Sequence, residues 1–208
     1  MDMDDFAPSL AIGDTLPELE LNAYDPKKDK AITLDTADFM ADGKKKKGKW
    51  LVFFFYPADF TFICPTELEE MAGHYAEFEK LGAEVLSVST DTVFVHKAWH
   101  DNSPAIKKVK FPMVADPTGE IAKLFGVYIG YGEDAGLALR GTFIVDPSGV
   151  VKAIEINDNS IGRSAKELLR KLKAAKFVYD NGGVQVCPAS WEPGDATLKP
   201  GMNLVGKI

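Results

Sequence analysis

The stretch from residue 50 to residue 68, WLVFFFYPADFTFICPTEL, constrains the fold of this chain most strongly. Its unbroken apolar run at residues 50–56 shows no alternation, which is typical of a central strand covered on both faces. Pro57 ends the strand because proline has no N–H to donate to a sheet. Pro65 suits the first position of a helix, where a missing N–H is no loss. The stretch therefore predicts a buried strand, a tight loop and a helix with Cys64 at its N-cap.

The position of Cys64 at a helix start affects how readily its thiol ionises. Unpaired backbone N–H groups and the positive end of the helix dipole favour an anion at a helix start. Such positions and cationic neighbours lower a cysteine pKa from about 8.5 to between about 3.5 and 7.5. A lone cysteine is more commonly a small buried apolar side chain, but the Cys-Pro step at a strand-to-helix junction favours a nucleophile.

The remaining chain alternates predicted strands and helices. A helix from Pro65 follows a 3.6-residue apolar period and ends at Gly82. Further strands are predicted at residues 85–89, 111–114, 141–145 and 150–156, and further helices at 92–101, at 117–125 and from Ser164, which opens a capping box. The order β-α-β-α-β-β-α is that of the α/β thioredoxin fold, a central mixed sheet flanked by helices, here with an extended C-terminal tail.

Weaker sequence patterns favour ordinary structural elements without a functional role. Leu19, Leu21 and Ala23 alternate with polar residues as in a surface strand, and residues 33–40 suit a short helix. The lysines at 44–47 are typical of a solvated loop.

Two patterns resemble ligand sites but lack the required partners. His96 and His100 lie four residues apart without a third zinc ligand, so we expect surface or packing histidines. The glycines of residues 130–136 have the wrong spacing for a dinucleotide loop, so a plain loop is expected. We expect no metal and no cofactor.

Composition limits the function classes. A chain of 208 residues with 46% hydrophobic content suits one main domain, predicted at residues 1–170, followed by a C-terminal helix end and tail at 171–208. A net charge of −7 argues against nucleic acid and membrane partners. The acidic residues 1–5 do not suit a signal peptide, so a cytoplasmic protein is expected.

The two cysteines, Cys64 and Cys187, are too few for the disulfide framework of a secreted protein. In a reducing compartment they are idle or catalytic. Cys187 follows Asn181-Gly-Gly and precedes a tail with proline and glycine, so it is predicted to be exposed and mobile. The absence of Cys-x-x-Cys argues against a disulfide reductase or isomerase.

Pro57-Ala-Asp-Phe-Thr61-Phe-Ile-Cys64 resembles the Pro-x-x-x-Thr-x-x-Cys active-site motif of peroxiredoxins. The flanking Phe-Tyr-Pro and Pro-Thr-Glu are also similar to that family. The segments at residues 89–100, 137–143 and 204–208 resemble the bacterial alkyl hydroperoxide reductase type of typical 2-Cys peroxiredoxin. The resemblance covers nearly the whole chain, from about residue 10 to residue 208.

This resemblance implies a thiol-dependent peroxidase that reduces hydrogen peroxide and organic hydroperoxides. Cys64 becomes a sulfenic acid, which Cys187 of the second chain in a dimer resolves as an intersubunit disulfide. Arg140 reaches the Cys64 sulfur and Thr61 contacts thiolate and peroxide. Pro57 shields the pocket, and Glu67 supports the arginine.

The resemblance also implies partners. A flavoprotein disulfide reductase or thioredoxin serves as reductant, and homodimers associate as a pentamer of dimers. The competing function class is a binding protein, for example a chaperone that holds unfolded chains through an exposed apolar surface. Loss of peroxide turnover on Cys64→Ser distinguishes the enzyme from this alternative.

Overall fold

The computed structural model describes residues 9–41 and 47–207. The acidic residues 1–5 and most of the lysine run at 44–47 lie outside the described residues. The chain divides into two compact units, residues 1–165 and 166–208. The boundary predicted after residue 170 stays a prediction. Within the described residues, no helix is long and apolar enough to cross a membrane.

The described part of the first unit contains a seven-stranded mixed sheet in the order β2-β1-β5-β4-β3-β6-β7. Its strands are β1 (Glu20–Asp25), β2 (Lys30–Asp35), β3 (Trp50–Phe55), β4 (Ala83–Ser89), β5 (Met113–Ala115), β6 (Arg140–Val145) and β7 (Val151–Asn157). The helices are α1 (Cys64–Lys80), α2 (Val93–Asn102), α3 (Glu120–Leu124) and α4 (Ala165–Asp180), the last lying almost wholly in the second unit. Short 3₁₀ turns occupy Thr36–Asp38, Ile106–Lys108 and Met202–Leu204.

Strand β3 is the centre of the sheet, as its continuous apolar run predicts. All six of its side chains are buried. It pairs in parallel with β4 and antiparallel with β6. Phe143 of β6 and Phe125 pack with ring centroids 4.8 Å apart, and Phe125 also contacts Phe53 and Phe55 of β3. This aromatic core fixes β3, and therefore fixes where the loop after it begins.

The N-terminal hairpin corrects one prediction. Strand β1 lies between β2 and β5 and shows the predicted alternation, because Leu21 and Ala23 are completely buried while Glu20 and Asn22 are exposed. The helix predicted at residues 33–40 is wrong, because this segment completes β2 and then forms only a 3₁₀ turn. Pairing with β1 along the whole of β2 outweighs the weak local helical pattern.

The helix predicted at residues 117–125 is shorter in the structure, where α3 begins at Glu120. Asp116 explains this start, because its carboxylate accepts hydrogen bonds from the backbone N–H groups of Ile121 at 3.1 Å and Ala122 at 2.8 Å. Gly119 adopts a left-handed φ of 70° just before the helix. At the other end of the sheet, β7 forms the predicted edge.

Candidate active site

The loop after β3 leads into α1, which begins at Cys64. The N-cap is Ile63, one residue earlier than predicted, so Pro65 is the second helical residue and not the first. The shift arises because Ile63 already has helical φ and ψ angles of −84° and −37°. Its carbonyl accepts from the N–H groups of Thr66 and Glu67 at 3.0 and 3.2 Å. Cys64 remains in the first turn, where backbone N–H groups lack intrahelical acceptors.

Arg140 lies directly beside the cysteine. Its Nη1 is 3.4 Å from Sγ of Cys64 and donates to Oε2 of Glu67 at 2.8 Å. Its Nε donates to the carbonyl of Asn159 at 2.9 Å. The sheet explains the meeting, because β6 runs antiparallel to β3 and its first residue therefore lies near the end of β3. The structure thus brings together Cys64, Arg140 and Glu67, three of the residues that the sequence selected.

Arg163 is a buried neighbour that the sequence reasoning missed. Its Nε and Nη2 donate to the two carboxylate oxygens of Glu67 at 2.9 and 3.1 Å, and its backbone N–H donates to Oε1 at 2.7 Å. Its guanidinium also lies 3.6 Å from the ring centroid of Phe54. Burial lowers the pKa of Arg163, while Glu67 opposes that effect. The available signal was rarity, since the chain has only three arginines.

These contacts form a buried charge cluster, defined here as Cys64, Glu67, Arg140 and Arg163. All four side chains are buried. Two guanidinium groups share the single carboxylate of Glu67. Arg140 also directs Nη1 at the Cys64 sulfur, so the cluster places a hydrogen-bond donor of a cation against that atom.

The loop residues Pro57 and Thr61 have distinct placements. Pro57 is buried and lies two residues after the end of β3. The Thr61 hydroxyl donates to the backbone carbonyl of Ala58 at 2.8 Å. Its donor is therefore occupied within the loop, while the oxygen still has acceptor capacity. Phe60 between them has a left-handed φ of 56°, a strained value for a residue with a bulky side chain.

A buried hydrogen-bond network anchors this loop. Asp59 accepts from the Tyr56 hydroxyl at 2.7 Å and lies 2.8 Å from Nδ1 of His96. Nε2 of His96 lies 3.1 Å from the carbonyl of Val114 in β5. The Asp59 backbone N–H donates to Asp91 at 2.8 Å. Burial raises the pKa of Asp59, and His96 opposes this shift. The loop is thereby tied to the sheet and to α2.

His96 is thus a buried packing residue with an anchoring role that its sequence position did not reveal. His100 is also buried and packs edge-on against Tyr24, with centroids 5.5 Å apart. The surface alternative for these two histidines is therefore wrong. Across residues 9–41 and 47–207, no group of three or more His, Cys, Asp or Glu residues is placed to hold a metal ion.

Cys187 lies in the second unit and is a free thiol, like Cys64. It is half-buried, so the prediction of an exposed cysteine is wrong. Its Sγ lies 3.8 Å from the carbonyl of Ala174 in α4 and is placed to donate to it. Burial raises the pKa of Cys187, and the charge of Arg170 opposes that shift.

The sheet is mixed and flanked by helices, and a cysteine lies in the first turn of the helix that follows the central strand. Together these features define a thiol protein of the thioredoxin fold. Residues 12–154 match the model of the AhpC/TSA family. The chain belongs to the AhpC/TSA family.

Similar proteins cover most of the chain. It is 53% identical over 187 residues to alkyl hydroperoxide reductase C of Staphylococcus saprophyticus, covering 90% of this chain and 93% of that protein. It is 56% identical over 165 residues to the same-named protein of Salmonella typhimurium, covering 79% and 86% of the two chains.

Solved structures agree with these matches. The crystal structure of Enterococcus faecalis AhpC has a TM-score of 0.75 and 47% identity, covering 85% of this chain and 98% of that one. The reduced 2-Cys peroxiredoxin of Plasmodium vivax has a TM-score of 0.82 and 29% identity, covering 93% and 95%. The comparisons confirm the predicted thioredoxin fold and the prediction of a peroxiredoxin, an enzyme of the thiol-dependent peroxidase class.

Glu67→Gln tests the charge cluster. The substitution keeps the size of the side chain but leaves Arg140 and Arg163 buried without their shared carboxylate. We expect the free energy of unfolding to fall by about 3–5 kcal/mol, measured by urea denaturation.

Glu69→Gln is the matched control on the same helix, because Glu69 forms a partly exposed ion pair with Lys108. It should cost about 1 kcal/mol or less. Equal losses for the two variants would show that the buried carboxylate is not needed to hold the arginines.

Proposed function

We propose that this chain reduces hydrogen peroxide and organic hydroperoxides with Cys64 as the peroxidatic residue. The observation that carries the proposal is the 3.4 Å contact between Nη1 of Arg140 and the buried Cys64 sulfur. Within the buried charge cluster, the guanidinium favours the thiolate, which is the reactive form of cysteine. The same cation is placed to act on an oxygen atom bound against the sulfur.

In the first step the Cys64 thiolate attacks one oxygen of the peroxide in line with the O–O bond. The S–O bond forms and the O–O bond breaks, so the sulfur becomes a sulfenic acid. The other oxygen of the peroxide leaves as an alkoxide or hydroxide and takes a proton. Arg140 donates to the departing oxygen and stabilises its developing charge. Thr61 accepts from the peroxide O–H, and Pro57 excludes water.

In the second step Cys187 of the partner subunit attacks the Cys64 sulfur. A disulfide forms and the sulfenic oxygen leaves as water, so no other oxidant is required. Since Cys64 is completely buried and a disulfide needs Cα atoms within about 7 Å, the first turn of α1 unwinds locally before the bond forms.

Partners follow from the same chemistry. A flavoprotein disulfide reductase or thioredoxin returns the disulfide to two thiols. The edge strand β7 supports a homodimer, because an edge offers unpaired backbone groups to a second chain, and five such dimers form the full assembly. The small number of cysteines, two in the chain, supports a location in a reducing compartment such as the cytoplasm.

The disulfide step is tested by non-reducing electrophoresis after one equivalent of peroxide. The wild-type chain should run as a covalent dimer, while Cys64→Ser and Cys187→Ser should each remain monomeric on the gel. Cys64→Ser should also abolish peroxide turnover, which a binding protein would lack from the start. A disulfide confined to one chain would contradict the proposed intersubunit step.

Resistance to excess peroxide is a second expected property. Sensitive relatives slow the unwinding with a Gly-Gly-Leu-Gly loop and a C-terminal Tyr-Phe helix. Here the matching loop, residues 100–110, contains no glycine. Cys187 of the partner subunit should therefore capture the sulfenic acid before a second peroxide does.

Mass spectrometry of Cys64 during turnover at millimolar peroxide measures this competition. The disulfide should predominate, with little sulfinic acid. Rapid accumulation of the sulfinic acid would show that another feature keeps the first turn of α1 folded.

A further inference from the structure

One face of α4 holds the segment that carries Cys187. Nη1 of Arg170 donates to the backbone carbonyl of Trp191 at 3.0 Å. Sγ of Cys187 meets the carbonyl of Ala174 at 3.8 Å, and the Trp191 ring packs on Phe177 with centroids 5.0 Å apart. Positions 170, 174 and 177 share a helix face because they are spaced by four and three residues. The tail therefore docks on α4 through three adjacent contacts.

Arg170 is held in a fixed orientation at one end of this face. Glu167, one turn earlier, accepts from Nε at 2.7 Å and from Nη2 at 2.9 Å. This bidentate pairing uses one edge of the planar guanidinium and leaves Nη1 for the tail. Glu192 is the other acidic group that acts on Arg170. The arginine is thus a partly buried cation that joins α4 to the tail.

The Cys187 thiol lies within the electrostatic reach of this cation. Removal from water raises the pKa of Cys187, and the positive charge of Arg170 is the group that opposes the shift. Thiol attack depends on the fraction present as thiolate. A charge at this position therefore affects reactivity in addition to docking.

We propose that Arg170 is a positioning residue for Cys187, the thiol that attacks the Cys64 sulfenic acid. Arg170 holds the tail on α4 through its hydrogen bond to Trp191. It also keeps a positive charge one helical turn from the Ala174 carbonyl that the thiol contacts. The reaction rests on the proposed function above. Its balance is unchanged: one S–S bond forms, the S–O bond breaks, and water leaves with the thiol proton.

The two effects of Arg170 can be measured separately in a Cys64→Ser background, where Cys187 is the remaining thiol of the chain. The probe is iodoacetamide, and its rate of reaction is followed from pH 6 to pH 11. The midpoint of the rate profile reports the thiol pKa. The plateau at high pH reports access to the thiolate, because nearly all of the cysteine is then ionised.

Arg170→Met should move the midpoint to higher pH, because the cation that favours the thiolate is lost. It should also raise the plateau, because the Trp191 contact is lost and the tail loosens. Arg170→Lys keeps the charge but not the bidentate fork, so its midpoint should stay near that of the parent while its plateau rises. Circular dichroism checks that each variant is folded.

Lys176→Met is the matched control. It removes one positive charge from the same helix, but Lys176 pairs with Asp180 at 3.0 Å. Its profile should match that of the Cys64→Ser parent. A profile for Arg170→Met that coincides with the control in both midpoint and plateau would overturn the proposal.

A second measurement links the Arg170–Trp191 contact to the reaction. In the chain with both cysteines, Arg170→Met should form the disulfide several-fold more slowly at pH 7, since each unit of increase in pKa reduces the thiolate about tenfold. The deficit should shrink as the pH rises above the midpoint, and a deficit independent of pH would contradict the electrostatic part. Failure of the wild-type chain to form any disulfide would instead refute the proposed function, while leaving the alkylation profiles interpretable.

Discussion

The ion pairs of one buried carboxylate with two arginines fix the side chains around the Cys64 sulfur. Glu67 contacts both Arg140 and Arg163, all three side chains are buried, and Arg140 also contacts Cys64. The two guanidinium groups share this single carboxylate, and Nη1 of Arg140 also meets the Cys64 sulfur at 3.4 Å. The cost of burying these groups is met only while every partner is present. The stability of the fold around Cys64 therefore depends on these contacts.

The sheet supplies the geometry of that cluster. Strand β3 delivers the loop to Cys64, and antiparallel β6 begins with Arg140 at the same end. On the other side of the loop, the His96–Asp59 contact fixes the backbone between Pro57 and Cys64 to α2 and β5. Cys64 is thus held from two directions by elements distant in sequence.

Much of this arrangement could be predicted from local sequence. The apolar run of β3 gave the central strand, and the Cys-Pro step placed Cys64 within one residue of its observed helix position. Resemblance to peroxiredoxins supplied Arg140 and Glu67. The roles in the reaction of all six residues stay predictions: Cys64, Cys187, Thr61, Arg140, Pro57 and Glu67.

The parts that escaped prediction depend on long-range contacts. Arg163 meets Glu67 across 96 residues, and Asp59 meets His96 across 37. No local period encodes such pairs. The same limit explains β2, where pairing with β1 decided against a helix, and Cys187, whose burial arises from docking on α4.

The most direct test of the account compares two reactions of Cys64 in a Cys187→Ser background, with and without Arg140→Lys. Lysine retains a positive charge near the sulfur but lacks the fork that donates to the departing oxygen. The rate constant with hydrogen peroxide should fall by about 100-fold or more, while alkylation by iodoacetamide, which has no departing oxygen, should fall only a few-fold. Equal losses in both reactions would contradict the account, because Arg140 would then act on the thiolate alone and not on the breaking O–O bond.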